Sequence, residues 1–125
     1  MASKPPLVPR VFKTAWFAKA AAKARIQDAE ICDVARKAMA GQVVALGGGV
    51  FKTRLNDNMH RSIILAKAGQ FWIFEYLFAK KDRENIGEDE LDAFKLLARK
   101  YASIDADQLS KLIDQNHLLE ICHAS

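Results

Sequence analysis

Six basic residues flank the predicted strands in the middle of this sequence: Lys52, Arg54, Arg61, Lys80, Lys81 and Arg83. Lys52 and Arg54 are two residues apart, so the two-residue period of a strand puts both side chains on one face. Arg61 begins the next predicted strand, and the other three cations follow the last one. In a tight antiparallel meander these strand ends converge, so we expect the six cations to form one concave patch.

Aromatic residues lie beside this predicted patch. Tyr76 and Phe78 alternate with buried positions of the last strand, and an aromatic ring can stack on a nucleobase. Lysine and arginine side chains bind a phosphodiester backbone through its charge. The combination favours a binding site for nucleic acid. The alternative is a solvated strand edge that charged residues protect from aggregation.

The charge of the chain is unevenly distributed. Within a net charge of +4, residues 1–83 carry an excess of Lys and Arg, whereas residues 84–125 carry more carboxylates than cations. A basic body with an acidic C-terminal segment suits a polyanionic partner that approaches from one side. Ordinary solvated surface is the alternative interpretation.

Hydrophobic periodicity predicts an α+β domain with a mostly antiparallel sheet of about five strands, an N-terminal helical hairpin and C-terminal helices. We expect strands over residues 11–12, 43–46, 50–55, 62–66 and 71–79. We expect helix N-caps at Thr14, Asp28 and Gly87, and a last helix that begins at Asp105 or Asp107 and carries Leu118, Leu119 and Ile121. Residues 1–9 would form a flexible arm, 10–103 the main domain, and 104–125 an additional helix packed on or extending that domain.

Three consecutive glycines, Gly47 to Gly49, separate the second and third predicted strands. They predict a tight hairpin turn, because glycine adopts positive φ angles at no steric cost. A nucleotide-binding P-loop would instead require Gly-x-x-x-x-Gly-Lys-[Ser/Thr] at the start of a helix. That pattern is missing, so we favour the hairpin.

Histidine and cysteine residues suggest no further site. His60, His117 and His123 lack metal-ligand spacing with each other or with the cysteines, so no zinc site is expected. His60 lies near Arg61 in a predicted turn and could act as a base, but an exposed loop histidine is the better interpretation. Cys32 falls inside a predicted helix, where an inert core thiol is expected.

Cysteine usage and hydropathy predict the compartment. Two widely separated cysteines, Cys32 and Cys122, do not suggest a disulfide framework, so a reducing environment is expected. No apolar run reaches the roughly 20 residues of a membrane-spanning helix. Residues 1–10 lack the apolar centre of a secretory signal. We therefore expect a cytoplasmic protein that does not interact with membranes.

Two motifs in this order resemble the RelE/ParE superfamily of bacterial toxins, and most closely its HigB-like RelE branch. The first motif is Leu46-Gly47-Gly48-Gly49-Val50-Phe51-Lys52-Thr53-Arg54, followed by Arg61. The second is Phe78-Ala79-Lys80-Lys81-Asp82-Arg83-Glu84-Asn85-Ile86, followed by an amphipathic helix with Glu90-Leu91. Each motif is short, but the ordered pair is fairly specific, and the likeness covers roughly residues 10–101.

The resemblance implies the toxin of a type II toxin–antitoxin system, one that cleaves messenger RNA, typically on the ribosome. It also implies a cognate antitoxin that neutralises the toxin and that, in the HigB-like branch, often carries a helix-turn-helix domain. The implied reaction is attack of a ribose 2′-oxygen on the adjacent phosphate, with no metal and no cofactor. The implied catalytic residues are Lys52, Arg54, Arg61 and Lys80. From the patch and its aromatic neighbours we add as RNA-binding residues Lys81, Arg83, Tyr76 and Phe78.

This reaction needs a base, positive charge on the phosphorane and an acid for the leaving oxygen. A lysine is a poor base unless nearby cations disfavour its charged form, and Lys52 has Arg54 and Arg61 as expected neighbours. We therefore assign Lys52 as the base, the two arginines as stabilisers, and Lys80 or Lys81 as the acid or phosphate clamp. Two alternatives of the same fold stay open: a ParE-like inhibitor of DNA gyrase and a noncatalytic RNA- or protein-binding module.

Overall fold

A six-stranded sheet lies at the centre of the computed structural model, which describes residues 9–67 and 70–122. The strands are β1 (Arg10–Thr14), β2 (Val44–Gly47), β3 (Val50–Leu55), β4 (His60–Lys67), β5 (Phe71–Ala79) and β6 (Leu118–Ile121). The helices are α1 (Ala15–Lys23), α2 (Asp28–Met39), α3 (Glu88–Ser103) and α4 (Ala106–Asp114). The strand order is β2-β3-β4-β5-β1-β6, with β1 and β5 parallel and the other pairs antiparallel. The predicted α+β class with a mostly antiparallel sheet is confirmed.

Helices cover both faces of the sheet. On one face, Phe17 of α1 and Ile31 of α2 pack with Ile64 and Phe74 of the central strands. On the other face, α3 and α4 cover a second apolar cluster that includes Ile63. Because β4 is covered on both sides, its residues 61–65 are all buried rather than alternating between core and solvent. The core therefore holds β4 rigidly, and with it the residues at its ends.

Capping interactions determine where several helices begin. The Oγ1 atom of Thr14 accepts a hydrogen bond of 3.0 Å from the backbone N–H of Phe17, as expected for an N-cap. The backbone N–H of Gly87 donates to the Glu90 carboxylate at 2.9 Å, which confirms the predicted start of α3. The prediction for α2 was wrong by one residue, because Gln27 is the N-cap and Asp28 is already helical.

The C-terminal segment differs from the single helix that the sequence predicted. α4 ends at Asp114, and Asn116 adopts a left-handed conformation with φ +60° that a helix cannot continue through. Residues Leu118–Ile121 then form β6, which pairs antiparallel with β1. This strand satisfies a backbone edge of β1 that would otherwise be open. Helical placement of Leu118 was therefore wrong.

The two cysteines form a disulfide between α2 and the residue that follows β6. Cys32 and Cys122 are 90 residues apart in sequence, and their Cα atoms are 5.4 Å apart. The expectation of an inert free thiol at Cys32 was therefore wrong, because sheet pairing of β6 brings the chain end back over α2. The predicted arm over residues 1–9 lies outside the described residues except for Pro9, as do His123 and part of the turn between β4 and β5.

Candidate active site

Four predicted catalytic residues line one cavity of about 260 Å³, together with Val44 and Glu84: Lys52, Arg54, Arg61 and Lys80. The cavity lies where the ends of β3, β4 and β5 meet. The short turn from β3 to β4 makes Arg54 and Arg61 direct cross-strand partners, and Arg61 in turn pairs with Phe78 of β5. The structure thus brings together four cations that are spread over almost 30 positions of sequence.

Arg61 is the most constrained of these cations. Its side chain is buried, with 8% relative exposure, and its Nη1 atom donates to the carbonyl oxygens of Asn58 and His60, both at 3.0 Å. The turn before β4 supplies these acceptors, because residues 56–58 all have positive φ angles and curl the chain back over the guanidinium. Asn and Asp tolerate that conformation better than other non-glycine residues. The guanidinium is therefore held in place before any ligand binds.

The positive charge of this cavity is not neutralised by ion pairs. Among the residues that the structure describes, no salt bridge involves any of its four cations. Glu84 lines the same cavity but lies beyond ion-pair distance of them. Cations with a free hydrogen-bonding capacity and no carboxylate partner are suited to bind an anion such as a phosphate.

His60 differs from its sequence interpretation. It is the first residue of β4 and is half-buried, rather than a residue of an exposed loop. Its Nδ1 lies 3.0 Å from the side-chain amide nitrogen of Asn56. Because that amide nitrogen is a donor, neutral His60 accepts at Nδ1 and carries its proton on Nε2. With Nδ1 accepting this bond and the proton on Nε2, the neutral ring has no free lone pair, and His60 does not line the cavity of the four cations.

A cavity lined by His60, Lys80 and Lys81 shares residues with the first cavity and with a second, wider one of about 660 Å³. The four predicted RNA-binding residues line this second cavity: Tyr76, Phe78, Lys81 and Arg83. Its other wall consists of α1 residues that sequence reasoning did not assign to a site: Trp16, Lys19 and Lys23. Lys80 lines the first cavity and Lys81 the second, because the chain turns immediately after β5.

Aromatic rings cluster around Tyr76 beside the second cavity. The Tyr76 ring lies 5.0 Å from Trp16, centroid to centroid, and 5.9 Å from both Phe78 and Phe94. Phe78 has only 6% relative exposure, and the Arg83 guanidinium lies 5.6 Å from its ring. Phe78 is therefore a buried member of this cluster, and the exposed ring is that of Trp16.

Arg83 is fixed by contacts at the start of α3. Its guanidinium forms a two-pronged ion pair with Glu90 and also donates from Nε to the carbonyl oxygen of Asn85 at 2.9 Å. This pairing keeps the pKa of the Glu90 carboxyl below its ordinary value. Part of the positive charge of Arg83 is therefore already compensated, so Lys81 supplies the more available charge on this wall.

Glu75 is the one carboxylate within β5, and it lies outside both cavities. A bulge in the β4–β5 pairing falls at this residue, and its Oε2 atom is buried with no hydrogen-bond partner among the described residues. Burial raises its pKa to about 7. Burial raises the pKa of Tyr101 in α3, and the nearby charge of Glu75 raises it further, to about 12. Tyr101 thus packs against the core on this face of the sheet.

Comparison with known proteins gives one match. A family model described as the RelE toxin of the RelE / RelB toxin–antitoxin system matches residues 9–121. The match includes every strand and helix of the described structure, from β1 to β6. Searches of curated proteins and of solved structures find no match. None of the helices within residues 9–67 and 70–122 combines the length and the apolar character needed to cross a membrane.

Proposed function

Because the chain belongs to the RelE family of toxins from toxin–antitoxin systems, we propose that it is an endoribonuclease that cleaves messenger RNA on the ribosome. Family membership implies a cognate antitoxin as its partner. From the likeness to the HigB-like branch, we propose that this antitoxin carries a helix-turn-helix domain. A target under translation also places the toxin in the cytoplasm.

One observation carries the proposal: four cations that form no salt bridge with any described residue surround a small cavity, and backbone carbonyls hold Arg61 there. The pentacovalent phosphorane in the proposed reaction carries more negative charge than the phosphodiester. Donors that are fixed before the reaction stabilise such developing charge without the cost of reorganising. A cavity of about 260 Å³ accommodates a phosphate group and its neighbouring sugar more readily than a folded protein segment.

The proposed reaction forms one bond at phosphorus and breaks another. A base removes the proton of the ribose 2′-hydroxyl, and the 2′-oxygen attacks the adjacent phosphorus. The bond to the 5′-oxygen of the next nucleotide breaks, and an acid protonates that oxygen, which leaves a 2′,3′-cyclic phosphate. We assign Lys52 as the base, Arg54 and Arg61 as stabilisers of the phosphorane, and Lys80 as the acid or phosphate clamp.

Expression without the antitoxin, followed by mapping of transcript 5′ ends, tests the function. We expect growth arrest and in-frame cleavage within translated regions. The double variant Lys52→Ala/Arg61→Ala should remain folded, bind antitoxin and restore growth. Lys100→Ala/Lys111→Ala is a matched control, because it removes two exposed lysines from helices that do not line either cavity.

Two outcomes would contradict the nuclease proposal, and a third would contradict the assignment of its site. Growth arrest with intact transcripts and inhibited supercoiling would identify a ParE-like gyrase inhibitor. The absence of arrest would favour a noncatalytic binding module. Persistent cleavage by the Lys52→Ala/Arg61→Ala variant would overturn the site assignment while keeping the activity.

A further inference from the structure

Trp16 is an exposed aromatic residue near the start of α1. It follows the N-cap Thr14 by two residues, and 51% of its surface is accessible to solvent. One face of its indole ring stacks on Tyr76, with 28° between the ring planes. The stack holds the indole in one orientation, so its other face is presented to solvent as a rigid platform.

Two lysines continue from Trp16 along the same side of α1. Lys19 and Lys23 follow Trp16 at intervals of three and seven residues, which places all three on one helix face. Both lysines are exposed, line the same cavity as Trp16, and have no salt-bridge partner among the described residues. The wall formed by α1 therefore combines an open aromatic face with two uncompensated charges.

The opposite wall is also basic, although Arg83 there is paired with Glu90. Lys81 and Arg83 lie across the cavity from α1, and Asp82 is the one acidic residue that lines it. Phe78, which forms part of the floor, is the cross-strand partner of Arg61 in the candidate active site. His60 lines the cavity at that junction. His60 also lines a further cavity together with Lys80, a residue of the candidate active site, so these two residues link the groove to that site.

We propose that Trp16, Lys19 and Lys23 form a binding subsite for single-stranded RNA next to the cleaved phosphate. Trp16 stacks on the base of a flanking nucleotide, and the two lysines bind phosphates of the backbone. This subsite adds a substrate-binding site to the proposed nuclease. It rests on that function, because the nuclease proposal is what makes RNA the bound strand. Aromatic platforms with flanking cations are how proteins bind single strands without reading a sequence.

Charge favours RNA over a protein as the occupant of this groove. An apolar helix of a partner would place the exposed amines of Lys19 and Lys23 against a hydrophobic surface, and neither amine has a salt-bridge partner within residues 9–67 and 70–122. A polyanion gains from every one of these cations and releases counterions when it binds. A bound base also covers the open face of Trp16, which a purely ionic ligand would leave in water.

Binding of a noncleavable oligonucleotide to the full chain tests the subsite separately from catalysis. A 2′-O-methyl RNA cannot react, because its 2′-oxygen is blocked. In a Trp72→Phe background, Trp16 is the only tryptophan, so quenching of its fluorescence reports stacking at this position. We expect the fluorescence to be quenched on binding. Trp16→Ala should weaken the affinity for the oligonucleotide by about 5- to 150-fold, as measured by competition with unlabelled oligonucleotide. Trp16→Phe should retain most of the affinity, because it keeps a ring.

The lysines are tested through salt dependence. Lys19→Ala/Lys23→Ala should lower the slope of log Kobs against log salt concentration by about 1.4, which is the contribution of two phosphate contacts to a single strand. Lys100→Ala/Lys111→Ala removes the same charge from α3 and α4 and should leave the slope close to that of the native protein. Equal slopes for the two double variants would overturn the role of the α1 lysines.

Cleavage kinetics separate failure of the subsite from failure of the nuclease proposal. If the protein cleaves RNA, Trp16→Ala should raise KM and leave kcat nearly unchanged. Unchanged KM together with unquenched fluorescence would overturn the subsite while the nuclease function stands. Quenching by the oligonucleotide in a protein that cleaves no RNA would leave the subsite in place and overturn the nuclease. If Trp16→Ala loses antitoxin binding but keeps its affinity for RNA, the assignment of the groove to RNA is overturned.

Discussion

Arg54 of β3 and Arg61 of β4 are direct cross-strand partners, and within residues 9–67 and 70–122 neither forms a salt bridge. Like charges directly opposite each other destabilise an antiparallel pair by a few tenths to about 1 kcal/mol. The two side chains are not equivalent, because Arg54 is exposed and Arg61 is buried against the preceding turn. This arrangement costs stability in the free protein, and an anion that binds between the two arginines would relieve the repulsion.

Replacement of the two arginines should therefore separate activity from stability. Arg54→Gln should lower the cleavage rate by about 10²- to 10³-fold, as loss of one fixed donor does, and leave the free energy of unfolding unchanged or slightly higher. Arg61→Gln should lower the rate similarly and destabilise the protein by about 1–3 kcal/mol, because the carbonyls of Asn58 and His60 lose their donor. Denaturant unfolding and single-turnover cleavage measure the two effects.

Arg99→Gln provides the control for this comparison, because Arg99 is exposed on α3 and lines neither cavity. It should change neither the cleavage rate nor the free energy of unfolding. Equal destabilisation by Arg54→Gln and Arg61→Gln would contradict the structural role that we give to the buried arginine.

Local patterns predicted the first cavity because short-range rules decide its geometry. The two-residue period of β3 correctly placed Lys52 and Arg54 on one wall. Glycines 47–49 all have positive φ angles, and they connect β2 to β3 as the hairpin interpretation required. Short turns then make consecutive strands neighbours, so the convergence of Arg61 on this wall follows from local sequence alone.

The remaining features depend on contacts that are distant in sequence. Trp16 shares a helical stripe with apolar α1 residues, and only its stack on Tyr76 shows that it lies at the edge of the core. Leu118 and its neighbours have no period that separates helix from strand, and pairing with β1 decides between them. Cys32 and Cys122 come together only after that pairing, so no spacing rule could predict their bond.

The buried carboxyl of Glu75 should make stability depend on pH. Its pKa is about 7 in the folded protein, against an ordinary value of 4.5, because burial disfavours the charged form. A raised pKa means that the folded state holds the proton more tightly than the unfolded state. Its contribution is therefore complete below about pH 4.5 and is lost as pH rises through 7, a total of roughly 3 kcal/mol.

Glu75→Gln should remove this dependence, because an amide stays neutral. The free energy of unfolding of the variant, minus that of the native protein, should increase by roughly 3 kcal/mol between pH 4.5 and pH 8. Urea unfolding across this range measures the difference, and Glu88→Gln is the matched control, because Glu88 is exposed in the first turn of α3. A difference that stays constant with pH would show that Glu75 is ionised in the folded protein.

The disulfide makes stability depend on the redox conditions as well. The bond between Cys32 and Cys122 closes a loop of about 90 residues, for which chain entropy predicts a stabilisation of about 4–5 kcal/mol. Reduction removes this cross-link but leaves the β1–β6 ladder and the 2.7 Å ion pair between Arg10 and Glu120. We therefore expect a reduced protein that is less stable and still folded.

Unfolding with and without dithiothreitol measures the effect of the disulfide. The native protein should lose about 2–5 kcal/mol on reduction, and Cys32→Ser/Cys122→Ser should resemble the reduced protein and not respond to the reductant. The proposed cytoplasmic location gives this difference a consequence, since that compartment keeps most thiols reduced. Cleavage should change less than twofold, because β6 is at the sheet edge and the catalytic cavity lies at β3–β5. Equal stability of oxidised and reduced protein would show that the disulfide carries no constraint beyond the β1–β6 pairing.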